Sequence, residues 1–85
     1  MNDLDRVAQD VHDRRDLAIF LGQMADDFRD NYDSWENTTI YAFLDGLSAW
    51  LASADNLYRN LHRELPEQPS WAFVAEMFLA ARVYE

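Results

Sequence analysis

Between Asn37 and Arg63 the chain carries its longest uninterrupted helical pattern, with apolar residues on more than one side. Ile40, Leu44, Leu47, Leu51, Ala54, Tyr58 and Leu61 recur in alternating steps of four and three, which sets them on one stripe of a helix. A second stripe, Phe43, Leu47, Trp50, Ala54, Leu57 and Leu61, runs beside it. So wide an apolar arc needs at least two neighbours to cover it. A buried central helix, wrapped by the elements on either side of it in the chain, is therefore expected. A third row, Ala42, Gly46, Ala49 and Ser53, is small throughout. Glycine inside a helix costs about 1 kcal/mol relative to alanine, so Gly46 points to a close backbone crossing. Asn37 or Thr38 is expected to cap the start. Asp45, Ser48, Asp55, Asn56 and Arg59 keep one face wet.

The flanking segments supply the cover. Residues 3–11 form a short first helix with Leu4, Val7, Ala8 and Val11 inward. Asp13 then caps a second helix from Arg14 to about Asn31, with Asp16 favouring its positive start. Leu17, Phe20, Leu21, Met24 and Phe28 step along one of its faces. Asp26, Asp27 and Asp30 crowd its C-terminal end, where acids oppose the helix dipole. The connector from Asn31 to Asn37 is rich in turn formers but holds Tyr32 and Trp35. Trp35 is expected to plug the end of the helix pair, its indole N–H meeting a backbone carbonyl. Pro66 and Pro69 interrupt the pattern, and Ser70 caps a last helix running from Trp71 to about Tyr84. Only Glu76 and Arg82 are polar in it. A helix so apolar is buried on most sides or meets another chain. Arg82 is expected to be tied by an ion pair to Glu76 or to the C-terminal carboxylates.

The 85 residues read as one domain, an all-α antiparallel bundle of three long helices plus the short N-terminal one. No stretch alternates as a strand would. There is no cysteine, which removes disulfides, thiolate metal sites and a cysteine nucleophile. No apolar run approaches the roughly 20 residues that cross a bilayer, and no secretory signal opens the sequence. A cytoplasmic protein that does not enter membranes is expected.

Chemistry is hard to find in it. His12 and His62 stand far apart, and no Glu-x-x-His motif of a di-metal bundle is present. The serines lack an elbow motif, and two glycines inside helical patterns build no phosphate cradle. A non-catalytic protein needing no cofactor is expected. The net charge is −9, and every basic residue is arginine. Nucleic acid is therefore disfavoured, while a basic protein partner is favoured by the field. Asp26, Asp27, Asp30, Asp33 and Glu36 form the candidate acidic surface for it. The alternative is a homodimer through the last helix, with Phe73, Met77, Ala80, Ala81 and Tyr84 at the contact.

Trp35-Glu36-Asn37, Phe43-Leu44, Ala49-Trp50-Leu51, Pro66-Glu-Gln-Pro-Ser-Trp71 and the ending Ala80-Ala-Arg-Val-Tyr-Glu85 resemble a family of small uncharacterised bacterial proteins, over roughly residues 13–85. Where the family pattern has glycine after the residue matching Asn60, this chain has Leu61. The resemblance implies no activity and no catalytic residues. Small acidic proteins of this kind suggest, by association, immunity or antitoxin partners that neutralise a basic toxin or effector.

Overall fold

Caps and periodicity place most of the helices. The computed structural model describes residues 3–64 and 68–84. Within them α1 spans Leu4–Gln9, α2 Arg14–Asp30, α3 Ile40–Asn60 and α4 Trp71–Ala80, with a single 3-10 turn at Tyr32–Ser34. The fold is a small all-α bundle, and no strand occurs among the described residues. Asp13 caps α2 by accepting from the Asp16 N–H at 2.7 Å. Ser70 caps α4 by accepting from the Phe73 N–H at 3.0 Å. At α3 the cap is neither Asn37 nor Thr38 but Thr39, whose hydroxyl accepts from the Ala42 N–H at 3.0 Å. Asn37 is occupied elsewhere. The expected break at Pro66 lies outside the described residues.

The far end of α3 stops without the glycine that such ends favour. The Arg63 N–H reaches back to the Tyr58 carbonyl at 2.8 Å and the His62 N–H to that of Arg59 at 3.0 Å. These are the two bonds of a Schellman stop. They hold His62 at φ 56°, in the left-handed region where a Cβ crowds the backbone. Relief of that strain, less glycine's greater freedom in the unfolded chain, is worth up to about 1 kcal/mol. His62→Gly is accordingly expected to raise the unfolding midpoint by a few degrees. Calorimetry on the two proteins is the check, and an unchanged midpoint would remove strain from the account.

The centre of the bundle is α4 rather than α3. α4 packs against α1, α2 and α3, whereas α2 and α3 share no Cα pair within 8 Å. Leu4, Ala8, Val11, Phe20 and Met24 close over Ala75 and Leu79 on one face. Trp50, Ala54 and Tyr58 close over Phe73 on the other. The reason lies in the two arcs. α4 has one polar residue, Glu76, and must be covered nearly all round, while α3 keeps a wet face and needs less.

α3 is also rolled so that only part of its apolar arc is covered. Its buried row is Gly46, Trp50, Ala54 and Tyr58. Of the stripe that starts at Ile40, Ala54 and Tyr58 are buried, but Ile40 is 80 % exposed, Leu44 55 % and Leu51 42 %, and Leu61 is also exposed. Gly46 sets this roll. A Cβ there would lie 2.6 Å from the Tyr84 carbonyl oxygen, so the turn following α4 meets α3 at the one position that lacks a side chain.

Candidate functional site

Four side chains that looked separate in the sequence converge where α2, the Tyr32–Ser34 turn and the end of α4 meet. Asp27 leaves the wet face of α2 and turns inward. Its Oδ2 accepts from the Trp35 indole N–H at 2.8 Å and from Arg82 Nη1 at 3.4 Å, and its Oδ1 accepts from Asn31 Nδ2 at 2.9 Å. The Asp27 and Arg82 side chains are only 10 % and 12 % exposed. Arg82 also donates through Nε to the Leu79 carbonyl at 3.0 Å, and its guanidinium carbon lies 5.8 Å from the Trp35 ring centre. Beside this, the Asn37 amide donates to the Ala81 and Tyr84 carbonyls at 2.8 and 2.7 Å. The Arg82 carbonyl in turn accepts from the backbone N–H groups of Glu36 and Asn37. Such a network is costly unless every member is paired. Among the described residues no buried side-chain nitrogen or oxygen lacks a partner.

Three expectations are corrected here. Trp35 donates to a carboxylate rather than a carbonyl. Arg82 pairs with Asp27 rather than Glu76; Glu85 lies outside the described residues. Asp27 leaves the candidate acidic surface, because its oxygens face Trp35, Arg82 and Asn31. Asp26, Asp30, Asp33 and Glu36 remain exposed. Arg29 spans two of them, 3.3 Å from Asp26 and 2.9 Å from Asp30. The hydrogen bond from Arg29 holds the Asp30 carboxyl below its ordinary pKa, with the positive charge acting in the same direction.

Above the network lies an apolar groove. Because α2 and α3 both lean on α4 and not on each other, they leave between them an opening of about 490 Å³. Leu21, Ala25 and Phe28 form the α2 wall, and Ile40, Phe43 and Leu44 form the α3 wall. Met24, Trp35 and Phe78 line it further. Trp35 stacks on Phe43 with ring centres 6.0 Å apart, and Phe43 on Phe78 at 6.4 Å. Leu21, expected in the core, is exposed at this rim. The spacing of Ile40, Leu44 and Leu51 was visible in the sequence; that no neighbouring helix would cover them was not.

The last helix is placed differently from the self-association expectation. Phe73 is 9 % exposed and Ala81 is fully buried, while Met77, Ala80 and Tyr84 pack against the Trp50 cluster. Phe73 and Ala81 are thus buried within their own chain, and Met77, Ala80 and Tyr84 are partly buried.

A second, more polar hollow of about 890 Å³ lies between α1, α4 and the end of α3, lined among others by Asp5, Gln9, Tyr58, Arg63 and Glu76. Burial pushes the Tyr58 phenol above its ordinary pKa, helped by the Glu76 charge and opposed by Arg63. A raised phenol pKa favours the fold in the neutral form. That contribution is complete below about pH 10, the unfolded value, and fades as pH climbs through the raised one. Urea titrations at pH 8 and pH 11 should therefore show an alkaline loss that shrinks in Tyr58→Phe; an equal loss in both would assign it elsewhere. Among the described residues no three His, Asp or Glu side chains converge as a metal site, and no helix is long and apolar enough to cross a membrane.

The model of a family of unknown function, DUF7660, matches residues 13–85. The chain belongs to that family. The DUF7660 match takes in α2, α3 and α4 and all the residues of the buried network, and it begins after α1. No curated protein and no solved structure matches the chain.

Proposed function

We propose that this DUF7660 protein is a non-catalytic binding module that receives a basic protein partner at the groove between α2 and α3. One observation carries the reading: the apolar residues Ile40 and Leu44 stand open to solvent across a groove from Leu21 and Phe28. Scattered exposed leucines need no explanation, but a continuous apolar groove does. The buried network supports the same reading, since it fixes Trp35 beneath the opening and gives the groove a stiff base. Neutralisation of a basic toxin or effector in a bacterial cytoplasm is the role proposed for the module, in keeping with its net charge of −9.

Affinity capture from native lysate on the immobilised chain tests this. A basic protein should be retained at low salt and released as salt rises, because exposed charge pairs are screened. The double variant Ile40→Ser/Leu44→Ser should retain it at least tenfold less well, as two partly buried aliphatic side chains contribute on the order of 1–3 kcal/mol each at an interface. Retention of nothing, or retention indifferent to both salt and the variant, would refute the reading.

A further inference from the structure

In the polar hollow between α1, α4 and the end of α3, one of the chain's own side chains shows what kind of group the walls accept. We propose that this hollow is a binding site for a guanidinium group, carried by a small molecule or by an arginine side chain of another protein. The stop that ends α3 turns the chain back at His62 and brings the Arg63 guanidinium carbon to 4.5 Å from the centre of the Tyr58 ring. Both residues line the hollow. Tyr58 is only 5 % exposed, and its ring meets that of Phe73 edge-on at 5.9 Å, so it is a fixed surface. A fixed, largely dehydrated ring attracts a cation over its face more strongly than an exposed one does. Arg63 is exposed on a long, flexible stem, so it can swing into solvent and yield the ring to an incoming group. The hollow, about 890 Å³, has room for that group and its stem.

The lining selects the charge and the shape. Asp5 from α1, Glu64 from beyond α3 and Glu76 from α4 line the hollow, against the one arginine. Glu76 stands close enough to the Tyr58 hydroxyl to raise its pKa, while Arg63 acts the other way. Ring, carboxylate and guanidinium therefore sit within reach of one another. A guanidinium suits such a place because it is planar and weakly hydrated: it stacks on a ring while its edge N–H groups donate to a carboxylate. An ammonium is a compact, strongly hydrated charge and stacks less well. An anion would meet three carboxylates with only Arg63 to receive it. The hollow shares no lining residue with the groove between α2 and α3, so the two sites stand or fall separately.

Titration of the full chain with butylguanidinium, butylammonium, butylurea and inorganic phosphate, followed by backbone amide resonances, decides it. Butylguanidinium should shift the resonances of Tyr58, Phe73 and Glu76 saturably, with a Kd about fivefold or more below that of butylammonium. Butylurea has the same shape without the charge and should not saturate. Arg63→Gln should lower the Kd about threefold or more, because it clears the ring of its internal occupant. Glu76→Gln should raise it about fivefold or more, and Asp55→Asn, at an exposed acid outside the hollow, should leave it within about twofold. Arg63→Gln alters an exposed residue and decides the matter even if Glu76→Gln fails to fold. An end-blocked Gly-Gly-Arg-Gly-Gly peptide separates the sources: binding at the same resonances assigns an arginine side chain, and binding of butylguanidinium alone assigns a small molecule. Absence of a saturable shift, equal binding of butylammonium or butylurea, saturable binding of phosphate, or a Kd raised by Arg63→Gln would each overturn the site.

Discussion

Gly46→Ala should destabilise the protein by about 2–4 kcal/mol, although alanine is the better helix former by about 1 kcal/mol. The new methyl would sit 2.6 Å from the Tyr84 carbonyl oxygen, 2.7 Å from Asn37 Nδ2 and 3.3 Å from the Ala81 carbonyl oxygen. Two of these are backbone atoms. The third is a side chain that cannot swing aside without losing its bonds to both carbonyls. Separating the segments would also draw Arg82 away from Asp27. A domain of this length holds roughly 4–13 kcal/mol in total, so the loss is a large share. Urea unfolding measures it. A variant as stable as the parent would mean that the crossing is looser than these distances, and the roll of α3 would need another cause.

Removing the carboxylate of Asp27 has an effect of the same order for a different reason. Asp27→Ala is expected to cost about 3–5 kcal/mol, because it strands a buried guanidinium as well as an indole N–H. Asp26→Ala and Asp30→Ala remove exposed partners of Arg29 and should each leave the urea midpoint nearly unchanged. The contrast is informative because all three aspartates lie within one stretch of α2. The double variant Asp27→Leu/Arg82→Met should lose much less than the sum of Asp27→Leu and Arg82→Met, since neither unpaired group is then left behind. Additive losses in that cycle would deny that the pair acts as a unit.

The helices, most caps and the close approach at Gly46 were legible in the sequence because each depends on neighbours within a turn or two. Asp13 and Ser70 act on N–H groups three residues ahead, and a glycine inside a helix is conspicuous by its cost. The assignment of centre and rim was not legible. Periodicity reports which residues of a helix are apolar, but whether an apolar arc is covered depends on the other helices. Here α4 takes up the cover that α3 was expected to receive, and Ile40 and Leu44 are left at a groove. The buried network was hidden for a related reason. Asp27 sits among other aspartates on a polar stretch, and its partner Arg82 is 55 positions away. Only Arg82, isolated on an apolar helix, signalled that some carboxylate must come to it.

That α4 is the common support has a bearing on how the molecule is made. Translation proceeds from the N-terminus at about 5–20 residues per second, so α3 is synthesised before the segment that shelters Trp50 and Tyr58. Among the described residues no other helix lies within 8 Å of it, Cα to Cα. A message cut short before Trp71 would therefore yield not a smaller version of the domain but a sticky polypeptide for chaperones and proteases to clear.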